Sequence, residues 1–167
     1  GYYLANEAPK DVYAITTAKM RDKFDWQNTF IEVGIGTNRE TTMGSLLTVD
    51  SWNNIDKYKE VKDAFFIFDE QRLVGSGAWV KAFYKIAEAN RWIMLSATPG
   101  DNWLDYVPVF RANGFIKNLT AFKADHVVYA PYVRYAKVLG YRQVVKLVKW
   151  RNQILVHMPY ERHTERI

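Results

Sequence analysis

The chain has 167 residues, of which 49% are hydrophobic and 25% charged, so it is long enough for one domain with its own core. No apolar run reaches the ~20 residues that span a bilayer, and the absence of cysteine excludes disulfides and thiolate metal sites and points to an intracellular protein. The net charge of +5 is uneven: residues 1–110 carry 12 Lys/Arg against 15 Asp/Glu, and residues 111–167 carry 11 against 3. A basic last third suits a phosphate-bearing partner or a solvated basic surface.

In chain order, "YYLANEA" directly after Gly1 reads as a helix already under way and points to sequence upstream. "VYAIT" at 12–16 is β-branched and aromatic, a strand punctuated by Pro9 and Asp11. "AKMRDKFDW" predicts a helix with Thr17 as its N-cap. "SLLTVD" at 45–50 is a second strand, and "SWNNIDKYKEVKD" a polar loop with a short helix. "AFFIF" at 64–68 is apolar on both faces, as a strand covered on both sides must be. Ser76 offers a cap for "GAWVKAFYKIAEAN", where Trp79, Ala82, Phe83 and Ile86 form one buried helical stripe. "WIMLS" at 92–96 is a fourth strand. "NWLDYVPVFRAN" reads as helical or irregular because Pro108 interrupts it, with Gly114 as a stop. "QVVKLVKW" and "QILVHM" read as a hairpin or two edge strands around Arg151-Asn152. The glycines of "GIGTNRETT" and "VGSGAW" read as turns.

Strands alternating with helices predict an α/β fold with a mainly parallel sheet covered on both faces. Crossovers of one hand put every strand's C-terminal end on one edge, where such sheets bind ligands. The carboxylates Asp69 and Glu70 follow the most apolar strand at that edge. They read either as a plain polar strand terminus or as a Mg²⁺ carboxylate followed by a group that orients or deprotonates a water.

The next strand ends "LSATPG". "FDEQR" followed by "LSATPGDNW", preceded in order by "AITTAKMRDKFDW" and "TVDSWNNI", resembles motifs of superfamily-two helicases and translocases of the Swi/Snf type, in particular phage-encoded ones. The resemblance implies a RecA-like three-layer α/β/α sandwich over residues 1–167, of the phosphate-loop NTPase fold. It implies a DNA-dependent ATPase that couples Mg²⁺-ATP hydrolysis to movement along DNA, duplex before single strand, in the cytoplasm of a bacterium or phage-infected cell. Asp69 would bind Mg²⁺ through water, and Glu70 would be the catalytic base. Ser96 and Thr98 would couple the nucleotide pocket to the nucleic-acid surface, and Gln71 and Arg72 occupy positions that help couple hydrolysis to movement. Thr16, Thr17, Lys19, Ser51, Trp52 and Asn53 would lie along the nucleic-acid track, where hydroxyls, backbone N–H groups and lysine are suited to phosphate. Thr17 as an ordinary helix cap and Trp52 as a core residue are the plainer readings.

The pattern departs from the family in one large respect. No G-x-x-x-x-G-K-[ST] occurs, so the loop that cradles phosphates is expected before residue 1, and the second RecA-like domain with its arginine finger after residue 167. This chain alone is therefore expected to hydrolyse ATP poorly or not at all. The rival readings are a non-catalytic binding module for nucleic acid or protein derived from such a domain, and an unrelated phosphate-loop ATPase. His126, His157 and His163 lack metal-ligand spacing.

Overall fold

The β-branched and aromatic run at Val12–Thr16 forms strand β1, and Thr17 caps helix α1 (Ala18–Asp22), its side chain accepting from the Met20 N–H. In chain order follow β2 (Leu47–Ser51), a 3-10 helix (Trp52–Tyr58), β3 (Phe65–Asp69), α2 (Ala78–Ala89) and β4 (Arg91–Leu95). After a second 3-10 turn (Trp103–Tyr106) come α3 (Val107–Ala112), α4 (Leu119–His126), β5 (Val127–Tyr129), β6 (Val138–Tyr141) and α5 (Val144–Ile154). The computed structural model describes residues 11–23, 47–69, 73, 77–95 and 102–154. The expected helix in residues 1–8 and the turn at 34–42 lie outside them.

The chain divides into two compact units between Asn113 and Gly114. The first is a mixed α/β unit on a four-stranded, all-parallel sheet of order β2-β1-β3-β4. Because every pairing is parallel, the four C-terminal strand ends share one rim. Thr16 is opposite Ser51 there, and Asp69 is opposite Leu95.

The two central strands, β1 and β3, are packed on both faces. On one, Ile15, Phe66 and Phe68 pack with Trp52 and Ile55 of the 3-10 helix and with Val80, Phe83 and Ile86 of α2. On the other, Val12, Ala14, Leu47, Phe65 and Ile67 form a second cluster. Phe68 is the hub of the first, stacked on Trp52 and edge-on to Phe83 and Trp92, with centroids 5.1–6.3 Å apart. Such aromatic pairs add directional attraction to their large buried area. Asn90 fixes the N-terminal side of β3: its amide donates to the carbonyls of Val61 and Ile86 and its oxygen accepts from the Ala64 N–H.

The second unit opens at Gly114, whose φ of +78° is the left-handed region that favours glycine. Asn118 caps α4 by accepting from the Ala121 N–H. Phe122, His126, Val127 and Leu147 are buried, and β5 and β6 pair antiparallel with an irregularity at Val128/Tyr129.

Three local expectations are corrected. Residues 144–154 form the single helix α5 where a hairpin or edge strands were read, so Arg151-Asn152 sits in its last turn; residues 155–158 of that reading lie outside the described ones. The hairpin of this region is instead β5–β6. Gly77, without a side-chain hydrogen bond, is the N-cap of α2 in place of Ser76, which lies outside the described residues. Pro108 opens α3 rather than breaking it, since a first-turn residue needs no N–H partner within the helix.

Candidate functional site

Asp69 closes β3 as the strand's one residue short of full burial, so a rigid aromatic core presents its carboxylate at the rim. One step past the Ile15–Phe68 pair, the Thr16 hydroxyl donates to Asp69 Oδ2 at 3.0 Å. Trp52 Nε1 donates to the Asp69 backbone carbonyl at 3.0 Å. Two neighbouring segments, the end of β1 and the start of the 3-10 helix, thus grip one acidic residue through its side chain and its main chain.

A second polar cluster is centred on Asp50, near the end of β2. Its Oδ1 accepts from the Ser51 N–H at 2.7 Å and from Asn54 Nδ2 at 2.8 Å, and its Oδ2 accepts from the Tyr58 hydroxyl at 2.6 Å. Arg21 of α1 spans both neighbours, with Nη1 3.5 Å from Asp50 Oδ1 and from Ser51 Oγ. Burial pushes the Asp50 carboxyl up. The Asn54 amide, the Tyr58 hydroxyl, the Ser51 N–H and the Lys57 charge together outweigh it and hold the group below the usual aspartate range. Burial, then the hydrogen bond to Asp50 and its charge, push the Tyr58 phenol well above the ordinary tyrosine value. The cluster welds α1, β2 and the 3-10 helix together beside the rim.

The residues expected along the nucleic-acid track fall into two groups. Thr16, Ser51 and Trp52 are buried, and their polar atoms are engaged within the protein as described. Lys19 and Asn53 are exposed and Thr17 is half-buried. Thr17 uses its side-chain oxygen to accept from the Met20 N–H, as an ordinary helix cap does. Glu70, Gln71, Arg72, Ser96 and Thr98 lie outside the described residues; the strands that lead to them, β3 and β4, are hydrogen-bonded neighbours ending at the same rim.

Sequence reasoning passed over Asp50, Arg21, Asn54 and Tyr58. The signal was Asp50 two residues before a 3-10 helix, with Asn54 and Tyr58 four and eight residues on, close enough to fold back onto it. Of the histidines, His126 is buried with Nδ1 3.0 Å from the Arg142 carbonyl, which fixes the Nδ1–H tautomer because a carbonyl only accepts. His157 and His163 lie outside the described residues.

Among the described residues no group of three or more His, Cys, Asp or Glu could cage a metal, and no helix is long and apolar enough to cross a membrane. No family model, curated protein or solved structure matches the chain.

Proposed function

We propose that this chain carries the Mg²⁺ carboxylate and the DNA track of the first motor domain of an ATP-driven DNA translocase or helicase, on a RecA-like sheet. One observation carries the reading: the Thr16–Asp69 hydrogen bond at the shared C-terminal rim. Thr16 immediately precedes the half-buried Thr17 and, two residues further on, the exposed Lys19, groups suited to a phosphate chain. A shift of that loop under DNA therefore pulls on the acid that would face the triphosphate. The Trp52–Asp69 bond ties the same acid to the segment bearing Asn53.

The residues fit a water-mediated Mg²⁺. A half-buried carboxylate at the rim of a parallel sheet suits an ion held by one or two carboxylates and by substrate phosphates. When bound, that ion would neutralise charge on the β- and γ-phosphates. Asp69 would hold such an ion through its water shell, with Thr16 as the positioning residue for the carboxylate and Trp52 as the one for its main chain. Glu70 takes the proton of the attacking water. Thr17, Lys19 and Asn53 hold the DNA backbone, the first two through donors on or beside the capped turn. No phosphate cradle of the G-x-x-x-x-G-K-[ST] type lies in the 167 residues, so that part of the site is not assigned to this chain.

The test is DNA-stimulated ATP turnover by the full-length protein with Glu70→Gln. Removing the base while keeping the shape leaves ATP binding within about twofold and lowers turnover by about 100-fold or more. Turnover at the wild-type rate removes Glu70 from the chemistry and the motor reading with it.

A further inference from the structure

The second unit holds a feature that the rim does not use. Between β5 and β6 the chain runs "APYVRYAK", closed by the Ala130 N–H donating to the Lys137 carbonyl at 2.8 Å. Within this turn Tyr132 is fully exposed, at 104%, and Tyr135 is 68% exposed. Val133, Arg134 and Lys137 are exposed as well. Two tyrosine rings left in water, inside a unit that buries Phe122 and stacks Phe115 on Trp150, are not part of its core.

The backbone adds an independent observation. Tyr132 has φ +65°, directly after Pro131. Proline followed by positive φ is the pattern of a type II turn, whose second central place ordinarily goes to glycine or asparagine. A tyrosine there is disfavoured, and full exposure means that no packing of its ring repays the cost.

The charge decides what kind of partner fits. Residues 114–154 contain eight Lys/Arg and one Asp/Glu, and Arg134 and Lys137 bracket Tyr135 on the turn itself. A protein-binding aromatic patch needs no such excess of one sign, whereas a polyanion with exposed flat faces needs both features together. We infer that the β5–β6 turn is a contact for unpaired nucleic acid, with Tyr132 and Tyr135 stacking on bases and Arg134 and Lys137 meeting phosphates. Stacking on tyrosine is available only where bases are unpaired and splayed out, so the surface reads single strands rather than the backbone of a duplex. The inference is independent of the motor reading, since Thr17 and Lys19 belong to the first unit and no nucleotide enters the assay.

The test uses the full chain, without ATP, and fluorescence anisotropy of labelled dT20, U20 and an abasic 20-mer of the same charge. The wild-type chain binds dT20 or U20 more tightly than the abasic strand. Tyr132→Ala/Tyr135→Ala weakens binding to the base-bearing strands by about 10-fold and leaves the abasic strand within twofold. Tyr132→Phe/Tyr135→Phe keeps wild-type affinity, because the ring and not the hydroxyl does the stacking. Arg134→Glu/Lys137→Glu weakens all three strands, and more steeply at low salt. Circular dichroism checks that each variant keeps its helices; should the alanine pair lose them, Tyr132→Leu/Tyr135→Leu takes its place with the same expected loss. Equal affinity of the wild-type chain for base-bearing and abasic strands, or base-bearing affinity within twofold of wild type in the alanine pair, overturns the inference.

Discussion

The two units treat their polar and aromatic groups in opposite ways. In the first, hydroxyl, indole and carboxylate groups at the sheet rim are turned inward onto one another: Thr16 and Trp52 on Asp69, and Ser51, Asn54, Tyr58 and Arg21 around Asp50. Its aromatic rings are stacked into a core in which Phe66, Phe68 and Phe83 have no exposed surface. In the second unit the core is small and the tyrosines of the β5–β6 turn stand in water beside basic side chains. Burial decides how each group bears on function. A buried polar group at the rim acts by holding a neighbour in place, so its removal is felt in stability and in the neighbour's geometry. An exposed aromatic contributes little to folding, so its removal is felt mainly in what it binds.

The comparison breaks most readily at Phe68. Its ring is fully buried and meets Trp52, Phe83 and Trp92, so Phe68→Ala costs about 3–5 kcal/mol in denaturant unfolding. Tyr135→Ala in the second unit stays within about 0.5 kcal/mol of wild type. A loss at Tyr135 as large as that at Phe68 would show the turn to be packed against something and erase the contrast.

The Asp50 cluster gives the next largest effect, and one with a pH signature. The carboxylate is held ionised by an amide, a phenol, a backbone N–H and a nearby lysine, so Asp50→Asn costs about 1.5–3 kcal/mol at neutral pH. The folded-state value lies below the unfolded one of about 3.9, so the contribution is complete above that value. It disappears as pH falls through the lower, folded-state value. Unfolding free energies measured from pH 7 to pH 2 therefore show wild type and Asp50→Asn converging at the acid end. A gap that persists unchanged to pH 2 would assign the loss to shape rather than to charge.

Legibility followed the same division. The strands of the first unit were visible because runs such as "VYAIT" and "AFFIF" are β-branched or aromatic and buried on both faces, and their parallel order follows from the helices between them. Asp69 was legible as a carboxylate at a strand tip and Thr17 as a cap, since both are local features. The inward turn of Thr16 and Trp52 onto Asp69 was not, because those bonds join residues 53 and 17 positions apart and depend on strand order. In the second unit, "QVVKLVKW" looked extended because valine is frequent in strands, yet α5 forms around the buried Leu147, with Lys146 4.9 Å over the Trp150 ring. Strands of three and four residues, joined by a long turn, leave too short an alternation to detect.

The smallest expected effect sharpens the comparison most, because its sign differs from the rest. Tyr132 occupies the left-handed region at φ +65° with no ring packing in return. Glycine adopts that conformation freely, so Tyr132→Gly stabilises the chain by about 1 kcal/mol even though it deletes a large side chain. Truncating Phe66, Phe68 or Phe83 of the first unit has the opposite outcome, since each of these buried rings repays its place through contacts. Thermal or denaturant unfolding of Tyr132→Gly beside Tyr132→Ala separates the causes: alanine shares the backbone strain and shows no gain, whereas glycine relieves it. A destabilised glycine variant would mean that the ring contributes to folding, and the turn would then belong with the buried rim as a structural element.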